Sequence, residues 1–426
     1  MGYVTDFLAM MAKKKTRNVV SYFGTVPKDK MQRKNSMEQN QKKYVTTWGN
    51  AISIADRKPE NYAKDLTLRY PVRPMFDGDK IKITLDNFCG TESVTISRIY
   101  VADSVDGGRE IVEQTSTPVT FDNGSRSVTI PAGETVVSDE IRFPVRRGND
   151  ISVSFYLGGF TQMRSAVLIT GPLSKGFYTV GDYAQSAKLP LDLTRNTNWF
   201  YFLSNVEIET DSVNRAVICY GDSITSQSWP DYLTLRLFSE NIAHTAIVRR
   251  AASGTRILRQ YDNITYDSYG LKGEIRFPRE ARVSGADTVI IQHGINDIIH
   301  PVGVEVNPFR PWSDLPTADD LIQGLRQYII QAKEYGLQVY IGTLLPIYGW
   351  RTYEPFRDEL RCAVNEWIRT TSEIQGCIDF DRALCDMDNP AAFGQGYDSG
   401  DHLHPSEKAY ERMAAEVPKL LLEQSS

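Results

Sequence analysis

Hydrophobic and polar residues alternate along this chain with two different periods, and the change falls near residue 210. From Tyr44 to about Glu209 the period is two. In KIKITLDNF, Ile81, Ile83 and Leu85 fall on one face, with Lys80, Lys82 and Thr84 on the other. DISVSFYLG sets Ile151, Val153, Phe155 and Leu157 against Ser152, Ser154 and Tyr156. Turn sequences such as FDGD, DGGR, FDNGS and IPAGE separate these runs. Half-buried strands at this spacing predict an antiparallel β-sandwich, jelly-roll-like, over residues 44–209.

After the polar stretch ETDSVNR, short apolar runs alternate with helical patterns. AVICYG, HTAIVRRAA, DTVIIQHG, LQVYIGTLLP and GCIDF read as buried strands. WPDYLTLRLFSE, ADDLIQGLRQYIIQAKEYG and RDELRCAVNEWIRTTS read as the helices between them. Strands that are apolar throughout belong to a parallel sheet covered on both faces. Residues 210–426 are therefore expected to form a three-layer α/β domain with a parallel five-stranded sheet. Its second long helix opens at Thr317 before two acidic residues and stops at Gly336, as capping chemistry requires.

A chain of 426 residues is long enough for both regions to bury a core. A net charge of −5 disfavours nucleic acid or an anionic membrane as the main partner. No apolar run approaches the roughly 20 residues that span a bilayer. Residues 1–43 are different in character: ten lysines and arginines make them a basic arm, read as a solvated segment or short helices. A role in subunit contact is left open, and with it a homo-oligomer. The apolar part of the N-terminus precedes its lysines, the reverse of a secretory signal. Five scattered cysteines include no CxxC pair. Both features point to a cytoplasmic protein.

The polar residues that interrupt this pattern gather where strands end. Gly221-Asp222-Ser223 follows the first strand of the α/β region, AASGTRI with Gly254 the second, and HGIND with Asn296 and Asp297 the third. DSGDHLHPSEKAY, with Asp401 and His404, precedes the last helix. In open α/β sheets ligands bind outside the carboxyl ends of the strands, so these loops converge on one edge. Acyl transfer needs a serine whose proton an imidazole removes, and a carboxylate that fixes the imidazole. Ser223, His404 and Asp401 supply those groups. It also needs donors for an oxyanion, which the backbone N–H groups of Ser223 and Gly254 and the amide of Asn296 supply. The competing reading of Ser223 alone is a helix N-cap.

The set resembles the SGNH hydrolases, also called GDSL esterases, whose four letters fall on Ser223, Gly254, Asn296 and His404. The family's carboxylate, three residues before the histidine, falls on Asp401. GTLLP, RCAVNEWIR and GDHLHP are similar to one bacterial subgroup, which carries an N-terminal β-domain with phrases like TTWGNAI and SVTIPAGETVVSDEI. The resemblance implies a flavodoxin-like sheet and ester hydrolysis through an acyl-serine. Similarity to acetylxylan-esterase-like members suggests small acyl esters of carbohydrates, acetyl first, as the substrate. A lysophospholipase or thioesterase acting on lipid esters is the alternative within the same machinery. A carbohydrate-binding protein with a vestigial site is the alternative outside it.

Two departures bear on specificity. His402 stands where the subgroup often has glycine, and is either a local hydrogen-bond partner or a substrate contact. The long loop after the third strand carries Phe309, Arg310 and Trp312, which either form a satellite core or wall the substrate pocket. Asp222 and Asp297 are expected to hold loops, and His293 to pack at a strand end. No spacing among the five histidines suggests a zinc site, and no cofactor is called for. Ester hydrolysis should accordingly survive prolonged treatment with a chelator. Loss of activity that zinc or manganese restores would mean a metal site that the sequence hides.

Overall fold

The computed structural model describes residues 41–55, 62–261 and 269–423, so nearly all of the basic arm lies outside the described residues. Its last two residues begin a strand, Lys42–Gly49. This strand pairs with Leu203–Asp211, which pairs with Gly78–Asp86. The resulting five-stranded antiparallel sheet faces a six-stranded one built around Leu66–Val72 and Ile151–Leu157. Ile81, Ile83 and Leu85 from the first meet Val153, Phe155 and Leu157 from the second in one core. The alternating pattern places these residues because successive side chains of a strand point to opposite faces.

The other face of Ile151–Leu157 departs from the sequence expectation. Ser152 and Ser154 are buried rather than solvated. Ser154 is partnered by Arg69, a fully buried side chain on the neighbouring strand. Its Nε donates to Ser154 Oγ at 2.9 Å, and its other nitrogens donate to the carbonyls of Arg109, Tyr183 and Ser186. A loop is thereby fastened over the polar face of the strand.

The α/β region contains five parallel strands, numbered here within that region: β1 (Arg215–Gly221), β2 (Thr245–Ala251), β3 (Ala286–Gln292), β4 (Gln338–Gly342) and β5 (Gly376–Ile378). Their order in the sheet is β2-β1-β3-β4-β5, the doubly wound order of flavodoxin-like folds. β1 is buried along its whole length, as a central parallel strand should be. The helix Ala318–Glu334 starts with a capping box between Thr317 and Asp320, and the chain leaves it through Gly336 at φ +76°. Among the described residues no helix is long and apolar enough to cross a membrane.

The β-rich and α/β regions belong to one compact unit, Lys42–Ser426. Arg250, at the end of β2, is central to their contact. Its buried guanidinium donates to the carbonyls of Asn50 and Ser204 and to Asn205 Oδ1, all in the β-rich region. Burial pulls this guanidinium down to about 10, so it remains charged at neutral pH. Arg279 adds an ion pair to buried Asp86. Replacing Arg250 with methionine keeps much of the packing but strands three acceptors. The variant should lose about 3 kcal/mol or more in chemical denaturation. A loss below about 0.5 kcal/mol, typical of a surface change, would show that the arginine does not hold the regions together.

Candidate active site

The turn after β1 places Ser223. The N-cap of the short helix Ser223–Ser226 is Asp222, whose carboxylate accepts from Ile224 N at 3.0 Å. Ser223 is thus the first helical residue, and the capping alternative belongs to its neighbour. Asp222 is fully buried, and burial pushes its carboxyl up to about 7. One oxygen suffices for the cap; the other has no partner among the described residues.

His404 comes to Ser223 on a closed loop. Asp398 and Pro405 form a bridge, and Ser399 N donates to His404 O at 3.0 Å. Inside the loop Asp401 folds back on its own chain, its Oδ1 accepting from Leu403 N at 3.0 Å and His404 N at 2.8 Å. The other oxygen, Oδ2, lies 2.6 Å from His404 Nδ1. Partial burial opposes ionisation of Asp401, but the hydrogen bonds from His404 and its backbone outweigh it and hold the carboxyl below its usual range. An ionised carboxylate can only accept, so Nδ1 carries the proton and Nε2 offers a lone pair. Nε2 stands 2.8 Å from Ser223 Oγ. The serine hydroxyl donates to it.

The loops that carry the donors expected for an oxyanion are tied to one another. Gly254 has φ +77°, and a Cβ there would come within 2.6 Å of the Tyr269 ring, so only glycine fits. Asn296 Nδ2 donates one hydrogen to Thr255 O at 3.0 Å and keeps a second. Asp297, the next residue, accepts from Ile257 N at 2.8 Å and Leu258 N at 3.0 Å. It holds the loop that carries Gly254, as its position suggested. Ser226 Oγ lies 3.2 Å from Ser253 Oγ and donates to Ser223 O, linking that loop to the serine.

Beneath these loops lies a residue that the sequence reading did not single out. Arg276, on the helix Gly273–Glu280, donates to Gly221 O at 3.2 Å, Arg250 O at 3.3 Å and Thr255 Oγ1 at 2.7 Å. One guanidinium thus grips the ends of β1 and β2 and the loop of Gly254. Glu280 neutralises it through two contacts, of 3.1 and 2.7 Å. The four-residue spacing of Arg276 and Glu280 was the available signal, yet such pairs more often lie on a solvated face.

The remaining predicted residues are not drawn to the serine by any direct bond. His402 adopts φ +65°, a left-handed conformation that favours glycine, and its Nδ1 is paired with Asp398 Oδ2 at 2.6 Å. His293 packs against Tyr220 and Tyr328, and burial pushes its imidazole down to about 3. Trp312 packs edge-on against Phe356 and beneath the Arg357 guanidinium, while Phe309 is half-exposed. The Arg310 carbonyl accepts from Val302 N and Gly303 N and closes that loop.

Residues 219–412 match the GDSL-like Lipase/Acylhydrolase family. This part of the chain is a domain of that family, and the protein is an ester hydrolase. Among solved structures, the lipase/acylhydrolase from Enterococcus faecalis is 18% identical, with 50% of this chain and 98% of that chain covered and a TM-score of 0.36. A member of the lipolytic protein G-D-S-L family from Veillonella parvula is 19% identical, with 49% and 100% covered and a TM-score of 0.36. A GDSL-like lipase from Bacteroides thetaiotaomicron is 18% identical, with 49% and 88% covered and a TM-score of 0.34. No curated protein matches the chain.

The grip of Arg276 can be tested without removing its charge. A lysine cannot reproduce the planar fork of donors. Arg276→Lys should lower Tm and reduce kcat by about tenfold to a hundredfold, because loosening the loops misplaces groups that must align to within an ångström. An unaltered kcat in a properly folded variant would confine Arg276 to stability.

Proposed function

We propose that this ester hydrolase removes small acyl groups, acetyl foremost, from carbohydrates, with Ser223 as nucleophile. The continuous hydrogen-bond chain from Asp401 through His404 to Ser223, with contacts of 2.6 and 2.8 Å, carries the reading. Ser223 Oγ attacks the ester carbonyl carbon while its proton passes to His404 Nε2. Negative charge gathers on the former carbonyl oxygen, where the N–H groups of Ser223 and Gly254 and the Asn296 amide receive it. Each such donor is worth about 3 kcal/mol in the transition state. The C–O bond to the alcohol then breaks, and His404 returns the proton to the departing oxygen. Water, deprotonated by the same nitrogen, attacks the acyl-serine and releases the acid. Asp401 keeps the imidazole in the required tautomer and stabilises its cation.

The carbohydrate part of the reading is supported by the phrases, spread over nearly everything after Tyr44, that resemble a bacterial subgroup whose relatives include acetylxylan-type esterases. The small acyl part follows from the same likeness. Fold alone would not choose between sugar and lipid esters.

Ser223→Ala should reduce hydrolysis of p-nitrophenyl acetate by about 10⁵-fold or more with the fold intact. Asp401→Asn should cost about 10⁴ in kcat, since the wrong tautomer would face the serine. Near-wild-type turnover by Ser223→Ala would overturn the mechanism. For the acyl group, kcat/KM should fall from acetyl to butyryl to octanoyl esters. A preference for octanoyl would leave the mechanism standing and replace the sugar ester with a lipid one.

A further inference from the structure

Beside the oxyanion loop lies a cleft of about 340 Å³, and the α/β region forms only one of its sides. Ser253, Gly254 and Tyr269 line that side; Leu168, Trp199 and Tyr201 of the β-rich region line the other. We infer that the strand Trp199–Tyr201 supplies the specificity wall for the alcohol half of the ester, and that this half is a sugar ring. The inference rests on the carbohydrate-ester reading above and extends it to residues outside the catalytic domain.

The wall is built in advance of any ligand. Trp199–Tyr201 pairs with Ser165–Leu168, which in turn pairs with Ser53–Ile54. Alternation along the strand sends Phe200 inward, where it stacks on Tyr70 with centroids 4.5 Å apart. Trp199 and Tyr201 therefore share the opposite face, toward the cleft. Fully buried Tyr70 also fixes the strand from behind. Its hydroxyl donates to Trp199 O at 3.1 Å and accepts from Tyr201 N at 3.0 Å. Behind the cleft, Arg250 binds the β-rich region to the end of β2, two residues before Ala252 and the Gly254 loop. The two sides of the cleft are thus held in one geometry.

The chemistry of the lining selects the occupant. Gly254 belongs both to the cleft and to the expected oxyanion donors, so the cleft borders the loop that would receive the scissile carbonyl. An acyl chain would favour an apolar slot. Here the rings of Trp199, Tyr201 and Tyr269 share the lining with the Ser253 side chain, the backbone of Gly254 and aliphatic side chains such as Leu168. A sugar ring matches that mixture, with C–H faces against the rings and hydroxyls toward polar atoms. The volume lies within the range of small-molecule sites.

The test compares alcohols at constant acyl group: acetylated xylose and glucose against ethyl acetate, in wild type, Trp199→Ala, Tyr201→Ala and Trp199→Phe. The ratio of kcat/KM for sugar acetate to that for ethyl acetate should fall at least about tenfold in each alanine variant, chiefly through KM, and largely recover in Trp199→Phe. Leu168→Trp, which fills the cleft from a partly exposed position, should lower the same ratio without removing either ring. It serves if Trp199→Ala proves unstable in thermal denaturation. An unchanged ratio in folded variants of both kinds, with wild type active on sugar acetates, would overturn the wall and leave the proposed function intact. A shifted acyl-length profile with the alcohol ratio unchanged would also overturn it, assigning the cleft to the acyl chain. Wild type active on ethyl acetate but on no sugar acetate would instead overturn the carbohydrate reading itself.

Discussion

The geometry of the site depends on one buried cation. Arg276 has no contact with the serine, yet it collects the carbonyls that end β1 and β2 and the hydroxyl of Thr255. Desolvation alone would lower its pKa, but Glu280 more than offsets that and holds it up. The pair is costly to bury and stabilises the fold only if every donor is used. Here all three nitrogens have acceptors. Its return is positional: the turn bearing Ser223 and the loop bearing Gly254 are fastened to one rigid planar group. Arg357 does the same for the third loop, donating to Ile298 O and Pro301 O just after Asn296. Loops that would otherwise drift by an ångström are set against each other by guanidinium forks, which tolerate less distortion than a lysine would.

What could be read from the sequence, and what could not, follows from how each feature is encoded. Strand and helix periods are local, so β1 to β5 and the long helices emerge directly from the spacing of apolar residues. The chemistry-bearing loops follow, because strand ends in a parallel sheet share one edge. Cross-links such as Arg69, Arg250 and Arg276 are invisible to that logic. Each is an arginine in a strand or short helix, a position that a period-based reading assigns to solvent. Their burial is decided by partners remote in sequence, such as Ser154 and Ser186 for Arg69 or Asn50 and Ser204 for Arg250.

The same blindness applies to the residues proposed to set specificity. Phe309, Arg310 and Trp312 follow Asn296 in the chain, and in the sequence that nearness, with the stiffness that prolines and aromatic rings lend the loop, makes them candidates for a pocket wall. The structure seats Trp312 on Phe356 and Arg357, and the cleft at Gly254 is lined from another region. Trp199 and Tyr201 lie in a short strand whose pattern shows only that Phe200 points the other way. Nothing local says that the outward face meets the end of β2. That meeting follows from docking the two cores, which is a tertiary fact.

Burial also sorts the histidines into roles. His293 and His300 are enclosed, and burial, reinforced by nearby arginines, drives both imidazoles well below their usual range. They are neutral packing rings at any pH near 7, and cannot exchange a proton with a substrate there. His244 is held by Asn214, and His402 by Asp398. Only His404 combines a carboxylate on Nδ1 with an alcohol on Nε2, and its side chain stays partly open to solvent. A base must remain solvated enough to accept charge, yet be fixed enough to take it from one hydroxyl. Enclosure would remove the first property and a free surface loop the second. The short Asp398–Pro405 loop, closed by its own hydrogen bonds but not covered by another layer, meets both demands.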